Sequence, residues 1–142
     1  MTPLKSVMVA TDFSPLSEKA IDYAVMIAKQ FGAKILIMHV LDPITVTTTD
    51  ALMFSDNSEA LRKMAEEMMK NLADILKEKG VSIETALLKG AAASEIISKA
   101  AQAGVDVIIM GTHGRKGIEH LILGSVAEKV VRSATCPVMV VR

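Results

Sequence analysis

The chain has 142 residues, of which 51% are apolar, and its 16 basic side chains equal its 16 acidic ones. A domain of this length buries enough surface to be stable without disulfides or metal ions. The balanced charge, without a long basic run, gives no reason to expect a nucleic-acid or anionic-membrane partner.

The cysteine content and the N-terminal sequence indicate a reducing compartment. Cys136 is the only cysteine, so no internal disulfide can form, and its apolar neighbours predict a buried, unreactive thiol. Residues 1–6 lack the features of a secretory leader, and no apolar run reaches the ~20 residues that a membrane helix needs. We therefore expect a cytoplasmic protein.

Short apolar runs and helical stretches alternate along the chain. Residues 4–10 predict a first strand, and Ser14-Pro15 then has the residue types of a helix N-cap followed by an N1 proline. Gly32, Gly80 and Gly104 each follow a helical stretch, as glycines that end helices do. The apolar runs after these glycines predict strands buried on both faces at 33–41, 81–88 and 105–110, and a last strand spans 137–141.

Apolar spacing also predicts which side of each helix is buried. The first helix has Ala20, Ala24, Ile27, Ala28 and Phe31 on one face; the second has Leu61, Met64, Met68, Leu72, Ile75 and Leu76; the third has Ile96, Ile97, Ala100 and Ala101. Asp56 with Glu59, and Ser125 with Glu128, have the spacing of capping pairs and predict the starts of the second and last helices. The ten methionines predict either adaptable core filler or a ligand or partner surface.

Strict alternation of strands and helices predicts an α/β fold, with an open parallel sheet covered by helices on both faces. No internal boundary is visible, so we expect one domain over 1–142. The longest irregular segment, 43–56, is consistent with a binding loop or lid, and equally with a merely mobile connection.

In such a sheet, ligands bind beyond the carboxyl ends of the strands. The segment 111–117 after the fourth predicted strand contains Gly111 and Gly114, where backbone N–H groups can approach an anion closely. Gly124-Ser125 then opens the last helix, with unpaired N–H groups at the positive end of its dipole. Two such groups facing one cleft can hold a polyphosphate.

Two common phosphate motifs are absent from the sequence. There is no G-x-x-x-x-G-K-[ST], which excludes a P-loop, and no G-x-G-x-x-G after the first strand, which excludes the dinucleotide fingerprint.

Three motifs in order resemble the ATP-binding universal stress proteins over essentially the whole chain. Gly111-x2-Gly114-x9-Gly124-Ser125 matches the family pattern G-x2-G-x9-G-[ST], and the segments 9–14 and 133–138 are also similar to that family. The resemblance implies an open five-stranded parallel sheet of Rossmann-like type, in the order 3-2-1-4-5. That order places the reversal of strand order between strands one and four, where the strand-end argument also locates a ligand.

The resemblance further implies a role for each matching position. Ala10, Thr11 and Asp12 would contact adenosine, with Asp12 at the ribose or a bound metal, although some ATP-binding members have proline where Ala10 stands. The base would meet the backbone of Val40. Met110 and Gly111 would line the base and ribose side. The phosphates of ATP, bridged by Mg2+ or Mn2+, would be held by Gly114, Gly124, Ser125 and Val126.

Simpler interpretations of these residues remain open. Asp12 could cap the entry to the first helix instead of contacting a ligand, and the loop glycines could be ordinary turn residues. Ser125 is predicted to be an N-cap whether or not ATP binds. Arg115 and Lys116 could serve phosphate or solubility, and His113 could contact phosphate or simply be solvated.

The remaining histidines give no metal signature. His39 is expected to be a hydrogen-bonded core histidine, and His120 has no evident partner. We therefore predict no dedicated metal site, and any metal ion is expected to arrive with the nucleotide phosphates.

Three functions follow from these alternatives. The first is an ATP-responsive switch with slow or no hydrolysis, because no residue is placed to stabilise a transferring γ-phosphate. The resemblance also implies a homodimer through the edge strand 137–142, and the switch would act on an unknown protein partner. The alternatives are a stress dimer that does not bind nucleotide and a small adenine-nucleotide enzyme.

Overall fold

The computed structural model describes residues 3–43, 58–112 and 123–142. The predicted capping residue Asp56, most of the irregular segment 43–56, and Gly114 with its neighbouring charged and histidine residues lie outside these ranges. Within them, strands and helices alternate as predicted, with these bounds: β1 Ser6–Ala10, α1 Pro15–Phe31, β2 Lys34–Leu41, α2 Ser58–Glu78, β3 Ile83–Lys89, α3 Ala92–Ala103, β4 Val107–Gly111, α4 Ser125–Ser133 and β5 Val138–Val141.

The five strands form one parallel sheet in the order β3-β2-β1-β4-β5, which confirms the predicted topology. β1 lies at the centre, where Val9 is in register with Ile37 of β2 and Ile109 of β4. The strand order therefore reverses between β1 and β4, as predicted.

Alternating side chains divide the core between the two faces of the sheet. On the face covered by α1 and α2, the sheet contributes β-branched residues: Val7, Val9, Ile35, Ile37, Val107 and Ile109. On the face covered by α3 and α4, it contributes mainly methionine and leucine, together with one isoleucine: Met8, Leu36, Met38, Met110 and Ile108. The prediction of methionine as core filler is confirmed for Met8, Met38, Met69 and Met110, which are all buried.

The predicted start of α1 is confirmed. Ser14 is the N-cap and Pro15 follows it, and Ser17 completes a capping box: its N–H donates to Ser14 Oγ, and its hydroxyl accepts from Ser14 N at 3.1 Å. Gly32 and Gly104 end α1 and α3 in the left-handed conformation, with φ of 66° and 62°. Glycine adopts this conformation without the steric cost of a Cβ.

The predicted capping box of the last helix is wrong. Gly124 is the N-cap of α4, in an extended conformation, and Ser125 is the first helical residue. The helix therefore starts one residue earlier than predicted, and the Gly124 N–H donates to the carbonyl of Thr112 at 2.6 Å. Glu128 instead pairs with Arg132, whose Nη2 lies 2.7 Å from its Oε1.

The buried face of α2 also differs from the prediction. Ala65, Met69, Ala73 and Leu76 are buried, whereas Met64, Met68 and Ile75 are exposed. Of the predicted residues, Leu76 is buried and Leu72 packs against the core from a partly buried position. Phe31 at the end of α1 and Ala101 in α3 are likewise exposed, contrary to expectation.

The third strand is not buried on both faces as predicted. β3 forms one edge of the sheet, and its residues are half-buried or exposed. The apolar run alone does not reveal this, because the position of a strand in the sheet is a property of the whole fold.

Candidate functional site

The candidate site lies at the carboxyl ends of β1 and β4. The helix after β1 covers one face of the sheet and the helix after β4 covers the other. The strand order reverses between these two strands, and open α/β sheets bind ligands beyond the strand ends at such a reversal.

The loop after β1 is tied together by polar side chains. Asp12 Oδ1 accepts from the Ser14 N–H at 2.9 Å and from the Ser17 hydroxyl. The Thr11 hydroxyl accepts from the Phe13 N–H at 3.0 Å, and the Thr11 N–H donates to the Met38 carbonyl at 2.8 Å. The capping interpretation of Asp12 is thus confirmed, because its carboxylate accepts from the N–H of Ser14, the N-cap of α1.

Two residues that sequence reasoning did not assign to the site support this loop. Phe13 has a φ of 63°, a left-handed conformation that costs a residue with a Cβ about 1–2 kcal/mol. Its ring lies against His39 of β2, with centroids 4.7 Å apart. His39 Nδ1 is 2.7 Å from the Thr11 carbonyl, which can only accept, so Nδ1 is the protonated nitrogen. His39 is hydrogen-bonded as predicted, although it is half-buried.

The end of β2 is joined to the start of α3. Ala91, the N-cap of α3, has no side-chain acceptor, and Asp42 supplies one: its Oδ2 accepts from the Ala92 N–H at 2.8 Å. The Leu41 carbonyl accepts from the Gly90 N–H at 3.1 Å. Sequence reasoning missed this cap because its partners are 50 residues apart. The only signal was an aspartate directly after a strand.

The end of β4 is held between β5 and α4. The Thr112 N–H donates to the Val141 carbonyl at 2.9 Å, and its own carbonyl accepts from the Gly124 N–H. Gly111 lies so close to α1 that an added Cβ would be 3.1 Å from Cβ of Leu16. Gly111 therefore has a packing reason to be glycine, independent of any ligand.

The start of α4 is the main group of hydrogen-bond donors in the described part of the site. Its first intrahelical hydrogen bond runs from the Glu128 N–H to the Gly124 carbonyl. The N–H groups of Ser125, Val126 and Ala127 come before it and have no acceptor within the helix. Gly124 has no side chain to accept from them, and Ser125 is exposed. Such a helix start attracts anions.

The structure brings most of the predicted site residues to one edge of the sheet. Ala10, Val40 and Met110 lie on the face covered by α3 and α4, where Met110 is buried and the other two are partly buried. Thr11 and Asp12 follow β1 directly, Gly111 ends β4, and α4 begins beside it. Whether these residues contact a nucleotide stays a prediction, and Gly114 lies outside the described residues.

Other chemistry in the described ranges is limited. Burial raises the pKa of the half-buried Cys136 thiol, which leaves less of the reactive thiolate at neutral pH. Residues 3–43, 58–112 and 123–142 contain no group of three or more His, Cys, Asp or Glu side chains placed to hold a metal ion. None of the helices within them is long and apolar enough to cross a membrane.

Comparison with known proteins identifies close relatives. The model of the universal stress protein family matches residues 3–142. A universal stress protein of Methanocaldococcus jannaschii is 37% identical over 140 residues, which cover 97% of this chain and 82% of that protein. The universal stress protein UspA from Lactobacillus plantarum superimposes with a TM-score of 0.85 at 23% identity, over 100% of both chains. A universal stress protein in complex with cAMP has a TM-score of 0.71 at 25% identity, covering 99% of this chain and 98% of that one.

Proposed function

Because this chain belongs to the universal stress protein family, we propose that it binds ATP with Mg2+ and acts as a nucleotide-responsive dimeric switch, with slow or no hydrolysis. The observation that carries the proposal is the start of α4. The N–H groups of its first turn do not take part in intrahelical hydrogen bonds. The Gly124–Thr112 hydrogen bond joins this helix start to the end of β4, where the strand order reverses.

The adenosine would lie between the ends of β1 and β2. Ala10 and Val40 are partly buried on the same face of the sheet, and a base could pack over them while meeting the Val40 backbone. The structurally similar universal stress protein in complex with cAMP supports an adenine nucleotide as the ligand class. Asp12 would reach the ribose or a metal ion from the β1–α1 loop.

The donor set fits a phosphate chain with an accompanying cation. The N–H groups at the start of α4 suit phosphate oxygens, and Mg2+ usually binds through one or two carboxylates together with substrate phosphates. Asp12 is a carboxylate at the correct edge of the sheet, and its Oδ1 already accepts two hydrogen bonds.

These phosphate-binding groups would bind the ground state of ATP, and equally tight binding of ground and transition states does not raise turnover. This supports a binding protein with little hydrolysis.

The dimer would form through β5. This strand is one edge of the sheet, and its residues Met139 and Val140 are 39% and 36% exposed. An apolar edge strand presents unpaired backbone groups that a second copy can complete by C2 symmetry.

Thermal unfolding with and without Mg-ATP tests nucleotide binding. At 100 times its dissociation constant, a ligand stabilises the folded state by about 2.7 kcal/mol, which corresponds to roughly 5–10 °C for a chain of this length. Ser125→Glu should abolish the shift, because a carboxylate at the start of α4 repels phosphate while favouring the helix dipole. The matched control is Ser94→Glu, another exposed serine in the first turn of a helix, which should keep the full shift.

The outcomes separate the candidate functions. A shift in the wild type and in Ser94→Glu, but not in Ser125→Glu, supports nucleotide binding at α4. No shift in the wild type would refute it and favour a stress dimer that does not bind nucleotide. Rapid ATP turnover by the purified protein would instead favour an enzyme.

The dimer has its own test by light scattering at micromolar concentration. Val140→Lys should give a monomer, because a lysine on the edge strand opposes pairing with a second copy. Val131→Lys makes the same change at an exposed position on α4 and should leave the dimer intact. A monomeric wild type would contradict the proposed dimer without bearing on ATP binding.

A further inference from the structure

The loop between β1 and α1 holds an aromatic residue in a conformation that L-residues rarely adopt. Phe13 has a φ of 63° and is the one non-glycine residue with positive φ among those described. A bulky residue in this region is a genuine outlier. Such strain persists only where neighbouring contacts over-determine it, and it is concentrated at ligand sites.

Two contacts from His39 hold this loop in place. Its Nδ1 donates to the Thr11 carbonyl over 2.7 Å, and its ring lies 4.7 Å from the Phe13 ring at an angle of 53°. The Phe13 N–H is bound in turn by the Thr11 hydroxyl. One side chain of β2 therefore contacts the residues immediately before and after Asp12.

His39 acts from the side of the sheet opposite the candidate ligand residues. Side chains alternate along β2, and Met38 and Val40 pack on the face covered by α3 and α4. His39 therefore points to the α1 side, where Phe13 packs against the other core cluster. It supports the loop from behind, so any influence on a nucleotide is indirect.

We infer that His39 is a positioning residue for the nucleotide site. It holds the strained Phe13 loop so that the Asp12 carboxylate faces the ligand at the end of β1. Its backbone continues directly into Val40, so the same residue links the two strand ends that would hold adenosine. This inference rests on the proposed nucleotide function. It adds that the strained conformation of Phe13 serves to position the nucleotide site.

Substitutions of His39 separate its hydrogen bond from its packing. In His39→Asn, the side-chain amide nitrogen occupies nearly the same place as Nδ1 and can still donate to the Thr11 carbonyl. In His39→Leu, the apolar bulk remains but the donor is lost. We expect the dissociation constant for Mg-ATP to rise about five- to tenfold in His39→Leu, as for one lost hydrogen bond, and to stay within about twofold in His39→Asn.

A second measurement follows the loop without nucleotide. The amide hydrogens of Phe13 and Ser14 are bonded to Thr11 Oγ1 and Asp12 Oδ1. Their exchange with solvent should be faster in His39→Leu than in the wild type, and nearly unchanged in His39→Asn. If His39→Leu does not fold, His39→Gln replaces it, because its longer side chain misplaces the donor and should weaken ATP binding similarly.

The control for general destabilisation is Met69→Ala, which removes a buried side chain of α2 and leaves the β1–α1 loop untouched. It should bind Mg-ATP as the wild type does at a temperature where both are folded. Equal ATP affinity in the wild type and His39→Leu would overturn the positioning role and leave the proposed function standing. A wild type that does not bind Mg-ATP would overturn both.

Discussion

The two faces of the sheet use their side chains differently. The face under α1 and α2 is packed with β-branched residues, and α1 begins with a capping box made by its own neighbouring side chains. The sheet contributes mainly methionine and leucine to the face under α3 and α4, and both helices on that face have N-caps, Ala91 and Gly124, that offer no side-chain acceptor.

The helix starts on the two faces are capped in different ways. At the start of α1 the chain satisfies its own N–H groups, whereas at the start of α3 it uses an aspartate from a distant strand. At the start of α4, Gly124 and the other described residues supply no side-chain cap. Helix starts of this kind attract anions, which is the role proposed for α4.

The largest expected effect on stability concerns the face of the sheet under α1 and α2. Met69→Ala should lower the free energy of unfolding by about 2–5 kcal/mol, because it leaves a cavity between α2 and the sheet. Met68→Ala makes the same change one position along, where the side chain is 40% exposed, and should change stability by only about 0.5 kcal/mol. Urea unfolding of both variants measures the difference. Equal losses would mean that the orientation of α2 is wrong.

An intermediate effect is expected on the other face, at the remote cap of α3. Asp42→Ala should destabilise the protein by about 1–2 kcal/mol, because the Ala92 N–H loses its acceptor. Asp22→Ala removes an exposed aspartate from α1 and should be nearly neutral. Thermal unfolding compares them, and a neutral Asp42→Ala would show that α3 does not depend on β2 for its cap.

The smallest effects compare the two helix starts directly. Ser14→Ala should destabilise the protein by about 1 kcal/mol, since it removes the capping hydroxyl of α1. Ser125→Ala should change stability by less than about 0.5 kcal/mol, because Ser125 is already inside α4 and exposed. Unfolding without nucleotide measures both. A large loss of stability in Ser125→Ala would show that the Ser125 side chain caps α4, contrary to the structure.

Local sequence signals predicted the parts of the fold that depend on neighbouring residues. Ser14-Pro15 marked the start of α1 correctly, and Gly32 and Gly104 marked helix ends, because capping and left-handed glycine conformations are decided within a few residues. The same local rules failed at Ser125, because the first helical bond of α4 goes to the Gly124 carbonyl and makes Gly124 the N-cap.

The candidate site was predictable only in part, for a related reason. The strand-end residues Thr11, Asp12 and Gly111 could be found because carboxyl ends of parallel strands meet at one edge. Asp42 and His39 could not, since their partners are 50 and 28 residues away. The packing reason for Gly111 likewise appears only when α1 is placed against β4.

By itself, the sequence determined the alternation of elements, the likeness to one family and the edge of the sheet at which a ligand would bind. These follow from periodicity and motifs, which need no knowledge of distant contacts. The tertiary structure decided which side of α2 is buried, that β3 is an exposed edge, and that Phe13 is held in strain by His39. Each of these depends on which elements become neighbours in space, and side chains distant in sequence meet only when the sheet has formed.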